Sequence, residues 1–237
     1  MLSHSTTLSN PPESSHAVGN LQGEVWLSLQ TYQAQSLVRG RRRSNDKPAI
    51  MGLVGFADRL KTLWLAAKQD DPYGDWWLVK IEQGIVECRA RLDSVFESLT
   101  PLLQTQPGLQ ISLAQSNKPQ RIALHFTNPY AFRAAQMLAE YDRLMCVFIT
   151  LRHVGLSIPT PLSEQAEGSG RWIRQVFSIP QGYHCYEINR EAVRQHSAQA
   201  QKAKEAMGEV PETIFLGETK PLLRPNFSKN PGTAQQD

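Results

Sequence analysis

The side chains with the most chemical potential in this 237-residue sequence are cations, and they are clustered. Residues 39–47 hold Arg39, Arg41, Arg42, Arg43 and Lys47 against Asp46 alone, a local charge of +4. Residues 118–133 hold Lys118, Arg121 and Arg133 with no acid, a local charge of +3. The whole chain carries only +3, so taking away these +7 charges leaves the remainder at −4. Clustered Lys and Arg suit phosphate, because each phosphate they neutralise releases condensed counterions and adds affinity independent of sequence. A solvated Arg-rich loop has the same composition, and the charge count weighs the two readings evenly.

A second group has the types needed to read bases. Ile122, Leu124 and Phe126 alternate with Arg121, Ala123 and His125, the pattern of a strand with one apolar face. Lys118, Gln120, Arg121 and His125 fall near or on its outward side. Arg forks onto guanine and Gln onto adenine in a major groove that admits a two-stranded ribbon. Gln120, Arg121 and His125 are therefore candidate base contacts, with Lys118 steering and Arg39, Arg41, Arg42, Arg43 and Lys47 on phosphates. Asn128-Pro129 opens a helix immediately afterwards, where backbone N–H groups can hold a phosphate, which brings in Asn128 and Arg133. An ordinary hairpin with a wet face accounts for the same residues. A second strand–helix–helix run begins at residues 24–30, whose polar face carries Glu24 and Trp26, types less suited to bases. The pattern does not choose between these two ribbons, 24–30 and 121–126.

Other chemistries find little support. The sequence has no phosphate-binding G-x-x-x-x-G-K-[ST], zinc-protease H-E-x-x-H, nucleophile-elbow G-x-S-x-G or dinucleotide G-x-G-x-x-G. We therefore expect no enzyme, no cofactor and no small-molecule substrate. Asp70, Asp71 and Asp75 are of the type that binds hard cations, but they lack the spacing and glycine of a calcium loop. A turn in which Asp75 caps a helix from Trp76 is the stronger reading, with Tyr73, Trp76 and Trp77 as core anchors. His153, His196 and the adjacent His184-Cys185 have no partners at ligand spacing, so no metal site is expected. Cys88, Cys146 and Cys185 are too few and too scattered for a disulfide framework, which suits a reduced cytoplasm. No apolar run approaches the roughly 18 to 20 residues of a membrane span. The first twenty residues lack the basic start and apolar core of a secretory signal.

The elements that must position these residues are mostly helices. Residues 24–30 alternate as a strand, 31–38 form a short helix ended by Gly40, and 39–48 form the basic loop. Ser44, Asn45 or Asp46 is placed to cap the next helix, whose apolar stripe is Leu53, Phe56, Leu60, Leu63 and Ala67. Gly52 and Gly55 sit in that pattern for close packing. A long helix follows from about Trp76 to Leu99, ended by Pro101 and Pro107-Gly108. Residues 109–113 alternate too, and with the turn 115–119 they predict a hairpin with 122–126. A helix from Asn128-Pro129 to about Arg152, a loop over 157–170, a strand over 172–179 and a last helix capped by Asn189 and running to Met207 complete the chain. Residues 1–20 read as a disordered tail, 21–217 as one globular domain and 218–237 as a flexible tail.

Four stretches occur together in order: Gly52-Leu53-x-Gly55-Phe56-Ala57, then Asp70-Asp71-Pro72-Tyr73-Gly74-Asp75-Trp76-Trp77-Leu78, then Phe126-x-Asn128-Pro129-Tyr130 with Tyr141-Asp142, and Ala206-Met207-Gly208-x-x-Pro211. With these the chain resembles the AcaB-like family of integrating conjugative elements over residues 24–217. The resemblance implies a transcriptional activator of conjugative-transfer genes, a ribbon–helix–helix type of DNA-binding fold and a dimer. The resulting expectation is an α+β, mainly α-helical fold, with long amphipathic helices and a small antiparallel β element forming a ribbon-helix-helix-like unit. Its partners are double-stranded DNA and a second copy, in the cytoplasm. The rival reading is a protein-interaction component of the conjugation machinery that never touches DNA.

Overall fold

The computed structural model describes residues 25–44, 47–104, 108, 110–125 and 128–225. Its longest element, α3 (Pro72–Gln104), packs along α4 (Pro129–His153), and α2 (Leu53–Lys68) lies against both. At 1.5 Å per residue α3 runs for about 50 Å. Three apolar stripes meet here: Phe56, Leu60 and Leu63 of α2, Ile81, Ile85, Leu92 and Leu99 of α3, and Tyr130, Leu138 and Leu151 of α4 are all buried. Shorter helices α5 (Thr160–Gly168), α6 (Gly170–Ser178), α7 (Arg190–Arg194), α8 (Ala198–Met207) and α9 (Glu212–Phe215) complete the body. Mainly helical with small antiparallel sheets, the fold is the α+β class expected.

The β structure departs from the expected hairpin. Strand β1 (Val25–Leu29) pairs antiparallel with β4 (Gln120–Leu124), with Leu27 opposite Ile122 and Ser28 opposite Arg121. Residues 110–117 form no strand. The two candidate ribbons are thus the two strands of a single ribbon. A second small sheet joins β2 (Gly40–Arg41) to β3 (Ile50–Met51), turning the basic loop into a β-hairpin closed by a Ser44–Lys47 bridge. Helix α1 (Tyr32–Arg39), capped by Thr31, links ribbon to hairpin.

Several local expectations change with these contacts. Helix α2 starts at Leu53 behind Gly52 with no side-chain cap, so Ser44 does not cap it; Asn45 and Asp46 lie outside the described residues. Gly52 is needed elsewhere: a Cβ there would collide with the backbone of Gly40 and Val38, and Gly40 itself has φ +70°. The two glycines form the narrow neck of the hairpin. Residues 160–168 are helix α5, not loop, and 172–178 belong to α6, not a strand; buried Ile173, Val176 and Phe177 have the i, i+3, i+4 spacing of a helix. The last helix is broken at His196 into α7 and α8, capped by Asn189 and Ser197.

Asp75 does not cap α3 either. Asp70 takes a left-handed turn at φ +65°, and Asp71 caps the helix by accepting the Tyr73 N–H at 2.8 Å. Asp75 is fully buried inside α3 between two guanidiniums, Arg190 at 2.7 Å and Arg224 at 2.6 Å. Arg224 lies in the stretch expected to be loose. That stretch is fastened over residues 222–224: the Leu222 N–H donates to Glu82 at 2.8 Å and the Leu223 N–H to the Tyr130 hydroxyl at 3.2 Å. The tails 1–20 and 226–237 lie outside the described residues.

Candidate nucleic-acid interface

Register decides which ribbon residues face outward. Directly opposed residues of an antiparallel pair share a face, and successive residues alternate. Leu27, Leu29, Ile122 and Leu124 turn toward the helices, and Gln120, opposite Leu29, shares that covered face. Gln120, expected among the outward residues, therefore lies on the covered face. The outer face presents Trp26 opposite Ala123 and Ser28 opposite Arg121, with His125 exposed just past the strand end. Trp26 keeps 46% of its surface exposed, and the Arg121 guanidinium lies 5.1 Å from its ring centroid. Lys118 is exposed in the turn that leads into β4, its N–H held by Ser116 Oγ at 3.1 Å.

The inner end of the ribbon is clamped by one carboxylate. Asp142 of α4 accepts the N–H of Gln30 at 2.7 Å, the N–H of Thr31 at 2.8 Å and the Thr31 hydroxyl at 2.6 Å. Thr31 in turn accepts the Ala34 N–H and starts α1. One buried side chain therefore fixes the ribbon, α1 and α4 relative to each other. Sequence reasoning did not assign Asp142 a role, because its partners lie more than a hundred residues away.

The Arg hairpin extends from the other end of α1, whose eight residues span about 12 Å. Arg39, Arg41, Arg42, Arg43 and Lys47 are all exposed, and β3 rests on α6. Arg41 is partly oriented by donation to the Pro48 carbonyl at 3.1 Å. Two residues expected at this surface are spent elsewhere. Arg133 pairs with Glu82 at 3.1 Å and is only about one-fifth exposed. Asn128 is 4% exposed, and its Oδ1 caps α4 by accepting the Tyr130 N–H at 2.9 Å. The structure thus brings Arg121 and His125 onto one face, places the Arg hairpin beyond α1, and leaves Gln120, Asn128 and Arg133 out of both.

Among the described residues no cluster of His, Cys, Asp or Glu could hold a metal ion, and no helix is long and apolar enough to cross a membrane. Cys88 and Cys146 are buried thiols pushed up to about 12 and about 11 by burial, while Cys185 is exposed. The fold and its exposed face define a mainly helical α+β protein that displays a two-stranded ribbon and a separate arginine hairpin. The sequence profile of the transcriptional regulator AcaB matches residues 17–228, and the chain belongs to that family. A crystal structure of AcaB from uropathogenic E. coli, solved with selenomethionine, is similar with a TM-score of 0.55 at 14% identity, covering 83% of this chain and 95% of that one. That likeness shows a shared fold. No curated protein matches the sequence.

Proposed function

We propose that this chain binds double-stranded DNA in a sequence-specific way and activates conjugative-transfer genes on an integrating conjugative element or plasmid. The reading starts from its membership of a transcriptional regulator family. The observation that carries it is the division of labour across α1: an outward ribbon face with Arg121 and His125 at one end, and a hairpin of exposed arginines at the other. A ribbon enters a major groove with polar side chains toward base edges, while clustered arginines hold the flanking backbone. This is the logic of a ribbon–helix–helix reader, with one difference. A ribbon–helix–helix reader pairs strands of two subunits, whereas β1 and β4 belong to one chain. A homodimer then brings two ribbons to two half-sites about one helical turn apart. The regulator acts in the cytoplasm and needs no cofactor.

The test is fluorescence anisotropy with transfer-promoter DNA and a scrambled duplex of equal length. A specific regulator prefers its site by roughly a thousandfold or more. Equal affinity for both duplexes would remove sequence-specific reading. Failure to bind either would favour the protein-interaction role in the conjugation machinery.

A further inference from the structure

We infer that Trp26 is a positioning residue for Arg121, and that the stacked pair reads a guanine. This inference rests on the proposed DNA reading and deepens it by naming the base and the residue that orients its reader. An arginine recognises guanine when its planar fork meets O6 and N7 together, so the orientation of the guanidinium matters as much as its charge. Trp26 supplies that orientation. The Arg121 guanidinium lies 5.1 Å from the centroid of its ring, within the range of a cation–π contact. Trp26 stands on β1 opposite Ala123, so it reaches Arg121 diagonally across the ribbon.

Charge around Arg121 supports the same conclusion. Among the described residues, Arg89 is paired with Glu140 and Arg133 with Glu82, while no carboxylate is paired with Arg121. The residues facing the pair across the ribbon are small: Ser28 stands opposite Arg121 and Ala123 opposite Trp26. Neither side chain is tall enough to hold a base edge away from the fork. On residue type alone an indole is unpromising for reading bases, but the register turns Trp26 into part of the reading apparatus.

The experiment selects binders from a randomised duplex pool with the wild-type chain and the variants Trp26→Phe, Trp26→Leu and Arg121→Ala, after circular dichroism melting has shown each to be folded. The wild type should enrich a G·C pair that Arg121→Ala no longer enriches. Trp26→Phe, which keeps a ring face, should enrich it as well, whereas Trp26→Leu should not. Replacing that guanine by 7-deazaguanine removes N7 and should weaken wild-type binding by roughly tenfold, part of the value of a bidentate pair. The same replacement should matter less than about twofold for Trp26→Leu, whose fork is no longer held. Three results would overturn the inference: 7-deazaguanine without effect on a wild type that still selects sequence, equal sensitivity in Trp26→Leu, or Trp26→Leu changing the oligomer mass while keeping the guanine. Failure of the wild type to retain any duplex would overturn the DNA reading itself, together with this inference.

Discussion

Replacing Arg190 by Met keeps the stem that packs at the α2–α3 corner and deletes its charge. The side chain is about nine-tenths buried. It donates to Asp70, to Asp75 at 2.7 Å, to the Phe215 carbonyl at 3.0 Å and to the Ile214 carbonyl at 3.1 Å. Breaking a buried pair from one side costs about 3–5 kcal/mol. Asp75 is not stranded, because Arg224 still donates to it at 2.9 and 2.6 Å, so the low end, about 3 kcal/mol, is expected. Arg224→Met should cost less, since it leaves the carbonyl bonds of Arg190 in place. The double variant strands a fully buried carboxylate and should exceed the sum of the singles by about 1–2 kcal/mol, within the range seen for residues sharing a network. Asp75→Asn in that background should recover most of the excess. Urea unfolding followed by tryptophan fluorescence measures all four. Singles that add to within about 0.5 kcal/mol would refute the idea that the Asp75 charge organises this corner.

Burial raises the Asp71 carboxyl from 3.8 to about 6, against hydrogen bonds from Tyr183 and Tyr73 that lower it. The folded state therefore holds this proton more tightly than the unfolded chain. The contribution of Asp71 is fully present below about pH 4 and is lost as pH rises to about 6, so wild-type stability relative to Asp71→Asn should fall by about 3 kcal/mol across that window in paired denaturation curves. A flat difference would contradict it. Gly52→Ala drives a Cβ into the Gly40 and Val38 backbone; it should displace the Arg hairpin and weaken DNA binding at least severalfold, read by anisotropy, with little loss of helix by circular dichroism. Iodoacetamide should label Cys185 alone in the native protein, by mass spectrometry, because Cys88 and Cys146 are buried and protonated. Rapid labelling of either buried thiol would contradict the packing of α3 on α4.

Helices were legible where their stripes were long. The helix with the Leu53 to Ala67 stripe, the long helix to Leu99 and the one opened by Asn128-Pro129 all form, because 3.6-residue spacing is local information. Strand pairing was not. Residues 25–29, 109–113 and 122–126 alternate alike, and the turn at 115–119 points to the nearest pairing, yet β4 takes a partner about ninety residues back along the chain. The face of Gln120 is hidden for the same reason, since only the register with Leu29 reveals it. Residues 172–178 are short enough to read as either period, and burial against α3 and the 3₁₀ turn Ile179–Gly182 selects the helix. Charge partners were also invisible. Arg133 finds Glu82 51 residues away, and the acidic cluster finds Arg190 and Arg224 more than a hundred residues away, turning a possible cation site into a buried ion network.

The proposed mode of binding, a grip on DNA through the Arg hairpin with reading through the ribbon, is electrostatic in its first part. Its most direct test is the salt dependence of affinity for transfer-promoter DNA, wild type against Arg41→Ala/Arg42→Ala/Arg43→Ala. Three phosphate contacts contribute about 2.7 to the slope of log affinity against log salt, at about 0.9 each. The triple variant should have a slope shallower by about that amount and should retain its preference over scrambled DNA. An unchanged slope, or a wild type whose affinity does not respond to salt, would contradict it.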